Sequence, residues 1–203
     1  MIQRLKTLTA RYEIATSGYF DVIGWFHTRS TGRAVDAASQ PIPWLTYPAI
    51  AFLSERVHRD WRVLEFGAGM GTQWWAKRVG FHVALEHDPV WAERIAKTSS
   101  AKVLQTSDLS AKRYLAPAIG YGLFDVVIVD GLFRNECLNA ACELVSERGV
   151  ILLDDAQRAD YKPAIDSVLA RGFRCLPFHG PQPVSKHAGC TATFYRSENV
   201  LGI

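Results

Sequence analysis

The sequence predicts an α/β fold: a parallel sheet with helices on both faces, preceded by a short N-terminal cap. Three observations predict it. From Pro48 onward, strand-length apolar runs alternate with helix-length amphipathic stretches. The run Phe124-Asp125-Val126-Val127-Ile128-Val129-Asp130 is almost continuously apolar, as a strand covered on both faces must be. A glycine-rich turn, Gly67-Ala68-Gly69-Met70-Gly71, joins the first strand of the series to a helix.

A first helix is expected over about 2–16. The chain to residue 48 then reads as irregular structure rich in aromatics (Tyr19, Phe20, Trp25, Phe26, Trp44, Tyr47) and broken by Gly18, Gly24, Gly32, Pro41, Pro43 and Pro48. Residues 1–48 are expected to form a cap rather than a domain of their own, with the core over 49–203. A helix over 49–58 precedes a strand at 62–66, the glycine turn, and a helix containing Trp74, Trp75 and Ala76. A second strand covers 81–86. Asp88-Pro89 opens the following helix, Asp88 as its cap and Pro89 at its first position. A short strand at 102–106, a helix over 110–118, the strand 124–130, a helix over 134–147, the strand 149–154 and a helix over 159–171 repeat the unit. Two strands, 173–178 and 190–196, separated by a loop, end the series. Ligands of such sheets sit beyond the carboxyl ends of the strands, near the topological switch point.

Composition bounds the function. The chain has 203 residues, 48% hydrophobic and 21% charged, which excludes disorder. A protein of this size should expose ~9,500 Å² when folded, and needs no disulfide or metal to hold a core. The 23 basic and 20 acidic residues are spread evenly, with no basic arm to track nucleic acid. No run approaches the ~18 apolar residues of a membrane span. The start, MIQRLKTLTARYE, lacks the apolar core of a signal peptide, so a cytoplasmic protein is expected. Cys137, Cys142, Cys175 and Cys190 form no CxxC pair and read as buried thiols of a reducing compartment, with a Cys175–Cys190 bridge as the minority alternative.

The glycine turn carries the strongest signal. Its spacing is GxGxG, not the GxGxxG of a dinucleotide site, and no Gly-Lys-Ser/Thr follows. Glu65 precedes it, where it would repel a pyrophosphate and suit an amine-bearing ligand. Glu86, 19 residues beyond Gly67, ends the second strand, where a carboxylate can accept from both hydroxyls of a ribose. His87 and Trp91 could flank an adenine. Asp108, after the third strand, could accept from its exocyclic amine or cap a helix.

With these residues in place, the sequence resembles the class I S-adenosylmethionine-dependent methyltransferases. The matching pieces are Glu65-Phe66-Gly67-Ala68-Gly69-Met70-Gly71, Glu86, Asp108, Phe124 to Asp130, and Gly149 to Asp154, and the likeness covers residues 49–196. It implies a Rossmann-like seven-stranded sheet of order 3-2-1-4-5-7-6 with strand 7 antiparallel. It also implies S-adenosylmethionine as cofactor, bound by Tyr47, Glu65, Gly67, Ala68, Gly69, Gly71, Thr72, Glu86, His87, Asp108 and Asp130. In the family fold the 41–48 stretch closes over the cofactor, which makes Trp44 and Tyr47 lid residues.

Asp125 and Asp130 lie ~17 Å apart along one strand, so Asp130 is at the ligand edge and Asp125 at the structural one. Asp130, Asp154 and Asp155 should converge, and their charge needs a hard cation, Arg134 and Arg158, or bound protons. The trio resembles that of metal-dependent O-methyltransferases, where Mg²⁺ would bind the acceptor hydroxyl, although Phe133 stands where the catechol type has a lysine. Asp130 and His179 are the candidate catalytic residues. The expected activity is methylation of a small-molecule acceptor at a hydroxyl, with metal-free N- or carboxyl-methylation, or a non-catalytic cofactor-binding role, as alternatives. No nucleic-acid or membrane partner is expected, and a homodimer is allowed.

Overall fold

The computed structural model describes residues 2–16 and 18–203. Strands β1 (Arg62–Phe66), β2 (Phe81–Glu86), β3 (Lys102–Gln105), β4 (Phe124–Val129), β5 (Val145–Leu153), β6 (Arg174–Pro181) and β7 (Ala188–Tyr195) form one sheet. Its order is β3-β2-β1-β4-β5-β7-β6. The five strands from β3 to β5 run parallel, and β7 pairs antiparallel with both β5 and β6. This is the sheet that the resemblance implies.

Alternation along the strands divides the core in two. Leu64, Phe66, Val83, Leu85, Val127, Val129, Ile151 and Leu153 face Tyr114 of α7 (Ala111–Leu115), Leu138 of α8 (Arg134–Leu144) and Val168 of α9 (Lys162–Ala170). Val63, Val126, Ile128, Val150 and Leu152 face Ile50 and Leu53 of α4 (Tyr47–Ser54) and Trp74 and Trp75 of α5 (Met70–Ala76). Ladder hydrogen bonds continue one residue past the strands, from Gly67 N to Leu85 O (2.9 Å), Asp130 N to Phe66 O (2.9 Å), Thr106 N to Glu86 O (2.8 Å) and Asp154 N to Val129 O (3.1 Å). These bonds bring Gly67, Glu86, Asp130 and Asp154 to one edge.

Three expectations are corrected. The segment before residue 48 is not irregular throughout: α2 (Tyr19–Val22) and α3 (Trp25–Thr31) follow α1 (Ile2–Thr16). Gly18, Gly24 and Gly32 flank these short helices, and Gly24 and Gly32 supply the left-handed turns at the ends of α3. The helix expected to reach 147 stops at Leu144, because Val145 pairs with Phe124 and starts β5 early. The register then jumps, Val126 opposing Val150. Finally, α7 tightens into a 3₁₀ turn over Ala116–Tyr121.

The cap is tied to the β6–β7 loop. Trp25 Nε1 donates to Ser185 O (3.1 Å), Val184 N donates to Thr28 Oγ1 (2.9 Å), and Arg29 donates to Val184 O. By contrast, every described side chain of α1, from Arg4 to Ile14, is exposed. That protruding helix helps explain an accessible surface of 10602 Å², above the ~9,500 Å² expected for the mass.

The tightest packing lies where β1 and β4 end. Gly67 has φ +98°, and a Cβ there would sit 2.7 Å from Gly131 Cα. A Cβ on Gly131 would sit 2.2 Å from the Tyr114 hydroxyl and 2.9 Å from Gly67 N. Gly131→Ala is therefore expected to cost about 2–4 kcal/mol in urea unfolding. Adding Tyr114→Phe should recover part of that loss, and the Tyr114→Phe single variant should be near neutral, since this buried hydroxyl has no hydrogen-bond partner among the described residues.

Candidate functional site

A cavity of about 580 Å³ opens beyond the carboxyl ends of β1, β2 and β4. Gly67 to Gly71, Glu65, Glu86, His87, Trp91, Asp130 and Gly131 line it from the sheet side, and Gly32 to Ala34 and Pro43 to Leu45 line it from the cap. It sits at the switch point, between β2–β1 on one side and β4 on the other. The volume is that of a small-molecule or cofactor site.

The turn is built around two buried carboxylates. Glu65 Oε2 accepts from Thr72 Oγ1 (2.5 Å), and Thr72 Oγ1 accepts from Gly69 N (2.8 Å), which pins the start of α5 to the strand. A Cβ on Gly71 would lie 3.0 Å from Glu65 Oε1, so glycine there leaves that oxygen room. A Cβ on Gly69 would meet nothing within 4 Å, leaving the turn's backbone open for a ligand to approach. Behind Glu65 lies His82, equally buried, with Nε2 3.3 Å from Glu65 Oε2; sequence reading missed it, because only strand pairing brings the two together.

Glu86 is held from below. Oε2 accepts from Ala68 N (3.1 Å), and Oε1 from His87 N (2.8 Å) and Asp88 N (2.9 Å). His87 Nδ1 also lies 2.8 Å from Oε1. A carboxylate has about two lone-pair sites on each oxygen, so the two backbone N–H groups fill Oε1 and Glu86 keeps one Oε2 site for a ligand. Trp91 Nε1 donates to Ala68 O (2.7 Å) and sets its ring as a wall of the cavity. Trp91 opens α6 (Pro89–Thr98), where Asp88 caps its backbone N–H at 2.9 Å.

Several expected residues lie elsewhere. Tyr47 is buried at the head of α4 with Ile42, Leu45, Ile50 and Leu53, not at the cavity. Thr46, bonded through N to Thr191 Oγ1 and through Oγ1 to Phe178 O (both 2.9 Å), turns it inward; Trp44, 47% exposed, is the aromatic that faces the cavity. His179 is exposed on β6 and lines no part of the cavity. Along that strand Leu176 and Phe178 take the covered side, and alternation sends Pro177 and His179 outward. Asp108 is exposed in a neighbouring depression that shares only His87 with the main cavity. Asp125 lies at the opposite edge and accepts from Arg62 N (2.9 Å).

The aspartate trio converges, but on a guanidinium. Arg134 donates to Asp130 Oδ1 (2.7 Å), Asp130 O (2.9 Å) and Asp154 O (2.8 Å), and lies 3.5 Å from Asp155 Oδ2. The Asp154 carboxylate faces away, accepting from Thr191 Oγ1 (2.9 Å) and from Gln182 Nε2 (3.2 Å to each oxygen). No cluster of three or more His, Cys, Asp or Glu side chains among the described residues is arranged to hold a metal. These side chains do not fit the Mg²⁺ site implied by the resemblance: Arg134, at the head of α8, occupies the space between the carboxylates. All four cysteines are free thiols; the β6–β7 register sets Cys175 opposite Phe194 and Cys190 opposite His179, so no Cys175–Cys190 bridge forms.

Charge is crowded at this edge. Burial, then the Asp154 charge, raise the Asp130 carboxyl well above its ordinary value, against the pull of Arg134. Its side chain keeps 26% of its surface open toward the cavity, so water moderates the rise. Burial, then Asp155, push the Asp154 carboxyl up to about 7, against the Thr191 hydrogen bond and Arg134. A carboxyl raised on folding binds a proton that the unfolded chain releases, so its stability contribution is present below about pH 4 and is lost as pH rises toward about 7. Asp154→Asn keeps the Thr191 bond and removes that loss. In thermal unfolding it is expected to match the parent near pH 4 and to exceed it by on the order of 2–3 kcal/mol at pH 8; an unchanged difference across that range would refute the assignment.

No protein-family model and no curated protein matches the sequence. Solved structures do match. Precorrin-6y C5,15-methyltransferase of Geobacter metallireducens aligns with TM-score 0.58 at 16% identity, covering 74% of this chain and 87% of that one. A protein of Streptococcus mutans solved with SAH aligns with TM-score 0.52 at 9% identity, covering 71% and 94%. A spermidine synthase in complex with the transition-state analogue AdoDATO aligns with TM-score 0.53 at 17% identity, covering 71% and 56%. At these identities the likeness establishes architecture: the chain has the Rossmann-like methyltransferase fold.

Proposed function

We propose that this chain is an S-adenosylmethionine-dependent methyltransferase acting on a hydroxyl of a small-molecule acceptor, without a metal. One observation carries the reading: a cavity of about 580 Å³ at the switch point, with an open glycine turn and three carboxylates, Glu65, Glu86 and Asp130, around it. The Gly69 position, where a Cβ would meet nothing, is the room such a cofactor requires. The proteins of the same fold that carry SAH or AdoDATO support the choice of cofactor.

Glu65 and the Gly67–Gly71 backbone would hold the amino-acid end of the cofactor, Glu86 its ribose, and His87 and Trp91 its base; when bound, S-adenosylmethionine supplies an electrophilic methyl group. The protein itself must place the acceptor oxygen in line and take its proton. Asp130 is the residue suited to receive that proton. It lines the cavity, Arg134 fixes its orientation, and burial raises its basicity above that of an ordinary carboxylate, which favours proton abstraction. Residues 1–48 are the cap of the core at 49–203. Through Arg33, Trp44 and Leu45 the cap shapes the acceptor side and leaves space for a small molecule rather than a nucleic acid. No helix among the described residues is long and apolar enough to cross a membrane.

The test is transfer of a labelled methyl group from S-adenosylmethionine to a panel of phenols, sugars and hydroxy acids, run with and without chelator. Turnover that is unaffected by chelation supports the reading. Turnover that requires Mg²⁺, or transfer only to amines, overturns it.

A further inference from the structure

We propose that the acceptor carries a carboxylate or phosphate group, gripped by Arg33 of the cap and Arg94 of α6 at the exposed rim of the cavity. This substrate class rests on the methyl-transfer reading and deepens it. The cavity has two electrostatic sides. Its floor holds Glu65, Glu86 and Asp130, counter-charges for a cationic group, with His87 leaning on Glu86. Its exposed rim holds two guanidinium groups, one from the cap and one from α6. Arg33, on the loop after α3, reaches Met70 Sδ at 3.9 Å, and Arg94 of α6 lies 5.1 Å from the centre of the Trp91 ring. Met70 and Trp91 both pack on the small cluster of Ala68, Ala84 and Ile95, so the two arginines flank one continuous surface above the glycine turn.

Neither arginine forms an ion pair with a carboxylate among the described residues, whereas Arg134, Arg158 and Arg171 each do. Both are exposed, yet both line the cavity, with the exposed ring of Trp44 on the same lining. A guanidinium presents a rigid fork of donors that matches the oxygens of a carboxylate or phosphate. The single carboxylate of the cofactor cannot fill both forks, and the cavity's own carboxylates are committed to the floor. The geometry therefore suits an acceptor with an anionic tail at the rim between Arg33 and Arg94 and its hydroxyl toward Asp130.

Calorimetry tests this in two stages. First the full chain is titrated with S-adenosylhomocysteine. Then citrate, and separately inorganic pyrophosphate, are titrated into the loaded protein at low ionic strength. The expected result is millimolar or tighter anion binding, weakened about tenfold by Arg33→Gln and by Arg94→Gln. The affinity for S-adenosylhomocysteine should stay within about threefold in both variants, with unchanged far-ultraviolet circular dichroism. Absence of anion binding to the loaded wild type up to ~10 mM overturns the proposal, as does anion binding that both variants retain. Loss of S-adenosylhomocysteine affinity in Arg33→Gln also overturns it, since Arg33 would then be holding the cofactor's own carboxylate. A wild type that binds no S-adenosylhomocysteine fails at the first stage, which identifies the methyl-transfer reading as the error.

Discussion

Replacing Glu86 with alanine is expected to lower the affinity for S-adenosylhomocysteine by about one to two orders of magnitude. A ribose hydroxyl donating to the one free site of the Glu86 carboxylate is worth about 1.5–3 kcal/mol, and ~1.4 kcal/mol is a factor of ten. The substitution has a second effect. Glu86 also accepts from the N–H groups of Ala68, His87 and Asp88, so its loss unfastens the turn from β2. Glu86→Gln separates the two. Its amide oxygen can still accept from His87 and Asp88, while the amino group opposes Ala68 N. It should keep two of the three backbone bonds, lose less stability than Glu86→Ala, and still bind at least tenfold more weakly. Calorimetry alongside urea unfolding reads both quantities, and a Glu86→Gln protein with parental affinity would refute the ribose assignment.

The second large effect is expected at Asp130. Asp130→Asn should reduce kcat by about 10²–10⁴, the contribution of a positioned general base, with S-adenosylhomocysteine affinity changed far less. Because burial and Asp154 raise this carboxyl, the parent enzyme should lose kcat as pH falls and the base takes up its proton. The Asn variant should show a flat residual rate over the same range. Arg134→Gln is the complementary probe. It removes the group that favours the ionised form, so the parental pH profile should move to higher pH, whereas a merely structural Arg134 would lower stability and leave the profile in place. A kcat for Asp130→Asn within threefold of the parent would remove Asp130 from the chemistry.

Much of this site was legible in the residues alone. Apolar runs of strand length and the glycine turn depend on neighbours within ten residues, and so placed the sheet and the edge at which the cavity lies. Glu65, Glu86 and Asp130 could be located because a strand end is a local feature, and all three line the cavity. The misses share a different origin. Tyr47 and Trp44 are near neighbours in an aromatic segment, and which of them turns inward is decided by Thr46 bonding to Thr191 and Phe178, more than 130 residues away. His179 lies on the same rim in the chain's rhythm, but strand alternation on an edge strand points it outward. The early end of α8 follows from Val145 finding Phe124 as a strand partner, a competition that helix propensity does not contain.

The aspartates show the division most plainly. Their clustering at the ends of β4 and β5 follows from the sequence, since parallel strands ~4.8 Å apart end level. What neutralises them does not. A metal, a guanidinium and a bound proton all satisfy the same run of letters, and the choice depends on angles and distances that only folding sets. In the folded chain Arg134 reaches Asp130 and the Asp154 carbonyl, while Gln182 and Thr191 turn the Asp154 carboxylate aside. The sequence by itself determined the sheet, the turn and the edge at which the cavity opens, because those features are written in short-range hydrophobic and glycine patterns. Only the tertiary structure decided which partner each charged group takes, because that depends on contacts between residues far apart along the chain.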